Sequence, residues 1–136
     1  MKKIVLISCV KKKQKEKSKA QDMYTSDLFK KSLAYARKLK PDDIFILSAK
    51  YGILGLDEKI VPYEMTLNKM SGHEKKIWAE KVLKSLGEKF DLLSDKFILL
   101  AGNNYVKNII PKMKNYELPL GKMPIGYRLK FLKEKL

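Results

Sequence analysis

Three short apolar runs, Ile4-Val5-Leu6-Ile7, Ile44-Phe45-Ile46-Leu47 and Phe97-Ile98-Leu99-Leu100-Ala101, each stop abruptly at a polar turn. Contiguous β-rich residues with no polar alternation suit strands covered on both faces, as in a parallel sheet. Helical patterns lie between them. Ser26 is placed to cap a helix with Asp27 in its first turn and Leu28, Phe29, Leu33, Ala36 and Leu39 on one face, stopped near Lys40 by Pro41. Ser71 and Glu74 have capping-box spacing ahead of a helix reaching about Phe90, with Trp78, Val82, Leu86 and Phe90 on its core side. That spacing makes Trp78 a core residue and leaves His73 in an exposed first turn. Gly102-Asn103-Asn104-Tyr105 opens a further helix toward Pro111. Tyr116 to Leu120 reads as a short fourth strand at the sheet edge, and Tyr127 to Leu136 as a closing helix with Leu129, Leu132 and Leu136 inward. The alternation predicts one α/β domain over residues 1–136, a three-layer sandwich around a mainly parallel four-stranded sheet.

Charge narrows the partners. The net charge is +15, of which +10 falls in residues 1–40. Such an excess favours a polyanion, nucleic acid first. Only Arg37 and Arg128 are arginines, so the attraction is to the phosphate backbone and not to base edges read by arginine forks. Lys11 to Asp22 holds six lysines against Glu16 and is expected as an exposed loop that attracts phosphate or merely solvates the surface. No apolar run approaches the ~20 residues of a membrane span. Met1-Lys2-Lys3 before Ile4–Val10 has the look of a signal peptide, but Lys11-Lys12-Lys13 stands where a cleavage site would be, so a cytoplasmic location is expected. One cysteine, Cys9, and one histidine, His73, rule out an internal disulfide and multi-histidine zinc sites. No metal and no cofactor is expected, since phosphate-loop and dinucleotide fingerprints are both missing.

In a parallel sheet the strand endings share one edge, so side chains distant in sequence converge there. The endings are Ser8-Cys9-Val10-Lys11, Ser48-Ala49-Lys50-Tyr51-Gly52, Gly102-Asn103-Asn104-Tyr105 and Leu120-Gly121, and the second is followed by Asp57, Glu58 and Pro62-Tyr63-Glu64 without clear periodicity. Lysines, tyrosines, serines and an asparagine pair suit an anionic, partly aromatic ligand: a nucleotide or an extruded base.

The same residues carry a resemblance. Ser8-Cys9-Val10-Lys11, Ala20 through Tyr24-Thr25-Ser26-Asp27-Leu28-Phe29, Leu47 through Leu54, Pro62-Tyr63-Glu64, Ala101-Gly102 with Tyr105, and Pro119-Leu120-Gly121 followed by Ile125-Gly126 and Arg128 resemble the family often labelled peroxide-stress YaaA-like. Its wider relatives look like the uracil-DNA-glycosylase-type sandwich, which implies a four-stranded parallel sheet with a nucleobase pocket at the strand ends. True uracil-DNA glycosylases place an Asp after the first strand and a His-containing loop after the last. Here Ser8-Cys9-Val10-Lys11 and Leu120-Gly121-Lys122 occupy those places, so uracil excision by that route is not expected.

The resemblance implies a nucleic-acid-associated protein, DNA ahead of RNA. Two functions fit: a glycosylase-like enzyme that hydrolyses N-glycosidic bonds of modified or damaged bases, or a DNA- or RNA-binding stress-response protein without chemistry. An enzyme needs an ionised acid near the sugar. Glu64 and then Asp57 are the catalytic candidates, both following the second strand. The expected ligand-binding residues are Ser8, Cys9, Lys11, Tyr24, Ser26, Ser48, Lys50, Tyr51, Gly52, Tyr63, Gly102, Asn103, Tyr105 and Arg128. For Tyr24, Tyr51 and Tyr63, core packing with a capped hydroxyl is the equal alternative.

Overall fold

A computed structural model of the chain describes residues 1–9 and 13–136. The elements run β1 (Lys3–Ser8), β2 (Ser18–Lys19), α1 (Ala20–Met23), α2 (Asp27–Lys38), β3 (Asp43–Ser48), β4 (Gly52–Gly55), β5 (Lys59–Ile60), a 3₁₀ turn (Leu67–Lys69), α3 (Gly72–Lys89), β6 (Lys96–Leu100), α4 (Asn103–Val106), a second 3₁₀ turn (Ile110–Lys112), β7 (Tyr116–Glu117) and α5 (Ile125–Lys135). The main sheet has the order β4-β3-β1-β6-β7. β3, β1, β6 and β7 are parallel, and β4 folds back antiparallel on β3. The architecture is therefore α/β with a mostly parallel sheet flanked by helices, but the sheet has five strands, not four.

The added strand comes from a hairpin inside the segment read as aperiodic. Ser48 pairs with Gly52 across the three-residue loop Ala49-Lys50-Tyr51, and Gly52 has φ +80°, a left-handed conformation that closes such loops and that only glycine adopts without strain. From Lys13 onward the lysine-rich segment is also more ordered than its composition suggests. Ser18–Lys19 pairs with Lys59–Ile60 in a second, two-stranded sheet, Lys13 bridges Tyr24, and Ala20 and Met23 are fully buried. The remaining differences are of extent. The helix after Gly102 spans only Asn103–Val106, β7 is two residues long, and in α5 Leu132 is buried whereas Leu136 is exposed. Both expected helix starts hold: Ser26 Oγ accepts from Phe29 N, and Ser71 with Glu74 forms a complete capping box.

Strand order fixes where a ligand can sit. The chain leaves β1 through α2 toward β3, then crosses back over β1 to β6 and continues outward to β7. Right-handed crossovers place helices for opposite directions of travel on opposite faces. Phe90, capping α3, packs edge-on against Phe45 and Phe97 of one face, while α5 packs on α2 through Tyr35 and Phe131. The direction reverses between β1 and β6, so a crevice opens at the carboxyl ends of these two strands. No helix among the described residues is long and apolar enough to cross a membrane.

The opposite edge is closed by Asp95, whose carboxylate accepts from Lys2 N and Asp91 N, each at 2.8 Å. Those main-chain bonds hold its pKa below the usual carboxylate range. A depressed folded pKa gives stability that is full above the unfolded value of about 3.9 and is lost as pH falls through the folded value. Asp95→Asn should therefore lower the melting temperature by several degrees at neutral pH. In thermal scans at successively lower pH, the gap to the wild type should close.

Candidate functional site

At the carboxyl ends of β3 and β1 lies a set of buried polar groups that bond to one another. Ser48, with no exposed surface, ends β3. Its Oγ accepts from Lys50 N at 3.3 Å and Tyr51 N at 3.1 Å and lies 2.8 Å from the Tyr63 hydroxyl, which in turn is 2.5 Å from that of Tyr24. A hydroxyl has two lone pairs and one proton. With both lone pairs taken by main-chain N–H groups, Ser48 donates to Tyr63, and Tyr63 donates to Tyr24. The main-chain oxygen of Ser48 accepts from Trp78 Nε1 at 2.9 Å, which ties the hairpin to α3 and gives Trp78 its core role.

Cys9 follows β1 and is held by its own N–H to Leu47 O at 2.9 Å. Its Sγ is 3.1 Å from the Tyr105 hydroxyl, which comes from α4 after β6. This contact spans the β1/β6 crevice that the strand order creates. Tyr105 stacks edge-on against Trp78, and Tyr63 edge-on against both Tyr24 and Tyr51. Burial is the main cause that raises the pKa values of Tyr24, Tyr63 and Tyr105 above the ordinary phenol value, with the neighbouring Cys9 adding to it in each. All three phenols are neutral at any physiological pH.

Cations line this edge. The Lys13 Nζ sits 4.7 Å from the Tyr63 ring centre and 5.9 Å from that of Tyr24. Partial burial lowers its pKa, opposed by Cys9 and Glu64, both of which favour the charged amine. Lys50 is exposed with its Nζ 5.3 Å from the Tyr51 ring centre. On the β6 side the Arg128 Nε donates to Met123 O at 2.7 Å, and its Nη1 lies 3.5 Å from where a Cβ on Gly102 would stand, an ordinary contact distance, so the guanidinium lies against the end of β6. Exposed Ile125 and Tyr127 flank Arg128 on α5, and exposed Val61 and Met65 flank Tyr63 and Glu64.

Of the expected ligand-binding residues, Tyr24, Ser48, Tyr51 and Tyr63 form one bonded and stacked set and Cys9 pairs with Tyr105, with Lys50, Gly52, Gly102 and Arg128 at the same edge. Ser8, half-buried at the last position of β1, and Asn103, exposed at the first turn of α4, border it. Ser26 is occupied as the cap of α2 at 3.2 Å from Phe29 N. Lys11 lies outside the described residues, as do Val10 and Lys12.

The two acids part company. Glu64 is exposed but within electrostatic reach of Lys13, beside Tyr63. Asp57 is at the other end of the sheet. Because β4 runs antiparallel to β3, the chain has returned past Phe45 before reaching it. There it accepts from Gln21 Nε2 at 2.9 Å, lies 3.7 Å from Lys19 Nζ, and borders an open groove of about 690 Å³ with Arg37, Lys40 and Asp43. Asp57 therefore cannot share a ligand with Lys50.

Lys13 is the site residue that sequence reading passed over. Its local signal is one lysine among several, and what distinguishes it is the bridge to Tyr24, which closes residues 13–24 into a strap. A second missed residue is Asn104, which donates to Asn68 Oδ1 at 2.6 Å and accepts from Lys75 Nζ at 3.3 Å, pinning α4 to the 3₁₀ turn and α3.

No curated protein and no solved structure gives a match to this chain. One family model does, described as "Family of unknown function (DUF6884)", and it matches residues 4–134, from the start of β1 to the last turn of α5. With nearly its whole length covered, the chain belongs to this family of unknown function.

Proposed function

We propose that the protein holds a base or nucleotide of a nucleic acid at the carboxyl edge of its sheet and hydrolyses the N-glycosidic bond of a modified or damaged base. The observation that carries this reading is the gathering, along the carboxyl ends of β3, β1 and β6, of neutral phenols, Ser48, Lys13, Lys50 and Arg128, with the Glu64 carboxylate in electrostatic reach of Lys13. Phenol faces suit a base, the cations suit phosphate or a leaving base anion, and a net charge of +15 suits a polyanion. Glu64 would orient water or offset the positive charge that develops on the sugar. The resemblance to the YaaA-like family and to the uracil-DNA-glycosylase-type sandwich adds support for a nucleobase ligand at this edge. DNA is preferred to RNA on that resemblance alone.

The second reading is a nucleic-acid-binding stress-response protein without chemistry. What favours it is that Glu64 is exposed, in water instead of the desolvated setting in which catalytic acids act. Base-modified and natural oligonucleotides, duplex and single-stranded, separate the two when assayed for abasic sites. Under the first reading Glu64→Gln should cut base release by about 10²–10⁴-fold with folding intact. Binding without release across the panel leaves only the second. No binding at moderate salt, where several phosphate contacts should still hold weakly, sinks both.

A further inference from the structure

We propose that Lys13 is an amine nucleophile toward the aldehyde of a base-free deoxyribose, so that the site takes the sugar left after base loss as well as the base; this rests on the glycosidic reading above. Among the described cations at this edge, Lys13 is the one with its head group over two buried phenols, and its segment is held there by main-chain bonds. Its backbone bridges Tyr24, and the adjacent Gln14 N donates to Met23 O at 2.7 Å. The side chain thus enters from a fixed strap and ends over Tyr63 and Tyr24, within electrostatic reach of Cys9 and Glu64. Lys50, by contrast, extends from a hairpin loop with its side chain exposed.

A lysine becomes a nucleophile when its surroundings favour the neutral amine and a carboxylate stands ready to move protons. Partial burial outweighs the opposing charges of Cys9 and Glu64 and so supplies the first condition at Lys13, and Glu64 is the carboxylate in electrostatic reach for the second. The steps balance without any further reactant. The Nζ lone pair attacks C1′ of the ring-opened sugar, and the carbonyl electron pair moves to oxygen, which takes one proton from the attacking nitrogen to give a carbinolamine. Glu64 takes the nitrogen's second proton and passes it to that hydroxyl, which leaves as water, and a C1′=N imine remains. The imine either returns to amine and aldehyde by adding water or loses a C2′ proton to the Glu64 carboxylate as the C3′–O bond breaks and the 3′-phosphate departs. The second course breaks the strand.

The test uses a labelled oligonucleotide carrying one abasic site, incubated with the full chain and sodium borohydride, which reduces an imine to a stable amine. A covalent protein–DNA adduct is expected, with peptide mass mapping placing it on Lys13. Lys13→Arg and Lys13→Gln should lower the trapped fraction per bound oligonucleotide at least tenfold, with near-ultraviolet circular dichroism showing both variants folded. Lys84→Gln, an exposed lysine of α3, should leave it unchanged. No adduct, or an adduct on another lysine or the amino terminus, overturns the proposal. Base release without trapping refutes Lys13 and leaves the glycosidic reading standing. Trapping at Lys13 without release of any base supports Lys13 and removes the glycosidic step.

Discussion

Ser48→Ala is expected to destabilise the fold by about 2–4 kcal/mol, a large part of the 5–15 kcal/mol that holds a typical domain together. The reason is the number of groups that one oxygen serves. Lys50 N and Tyr51 N lose their acceptor, and Tyr63 loses its donor, in a place with no exposed surface at the serine. A buried group left without a partner costs about 1–3 kcal/mol, and Tyr63 keeps Tyr24, so the loss falls below three full penalties. Ser26→Ala is the contrast. It removes one cap contact at a half-exposed helix start and should cost about 1 kcal/mol. Chemical denaturation of the two variants measures the difference. Equal effects would show that the Ser48 network contributes no more than an ordinary helix cap.

The second large effect is alkaline unfolding. Tyr24, Tyr63 and Tyr105 have folded pKa values above the unfolded phenol value of about 10. A raised folded pKa means that stability is full below the unfolded pKa and is lost as pH rises, because the unfolded chain then releases protons that the folded chain keeps. Three such groups contribute a slope of up to about 4 kcal/mol per pH unit above pH ~10. Lysine deprotonation over the same range relieves repulsion in a chain of net charge +15, so that slope is a ceiling. Tyrosinate absorbance should show these phenols ionising together with loss of structure, and Tyr63→Phe should reduce the slope by about 1.4 kcal/mol per pH unit. Gradual ionisation with the fold intact would mean that the three hydroxyls meet solvent.

The three long strands and the two long helices were legible because each carries a signal several residues long. Ile4 to Ile7 has no polar interruption, and Ser71 with Glu74 marks a helix start by itself. The strands that were missed, Gly52–Gly55, Ser18–Lys19 and Lys59–Ile60, are two to four residues long, too short for any period to register. One of these omissions carried a functional error. Without the β3–β4 reversal, Asp57 reads as a companion of Lys50. With it, Asp57 stands at the opposite end with Lys19 and Gln21. The tyrosines posed a choice between core packing and display at a site, and the choice was false: Tyr63 is buried, hydrogen-bonded on its hydroxyl and still presents its ring to Lys13.

The small sheet between Ser18–Lys19 and Lys59–Ile60, with Ala20 N bonded to Glu58 O and Gln21 N to Leu56 O, clasps the strap after β1 to the chain leading into Tyr63. Each of these segments alone would have to surrender its freedom when a ligand arrives, at roughly 1–2 kcal/mol for every residue fixed. Clasped together, they have given up that freedom during folding. Lys13 from one segment and Tyr63 from the other already face each other, so a ligand of the kind proposed would meet a preorganised surface here and keep more of its contact energy as affinity.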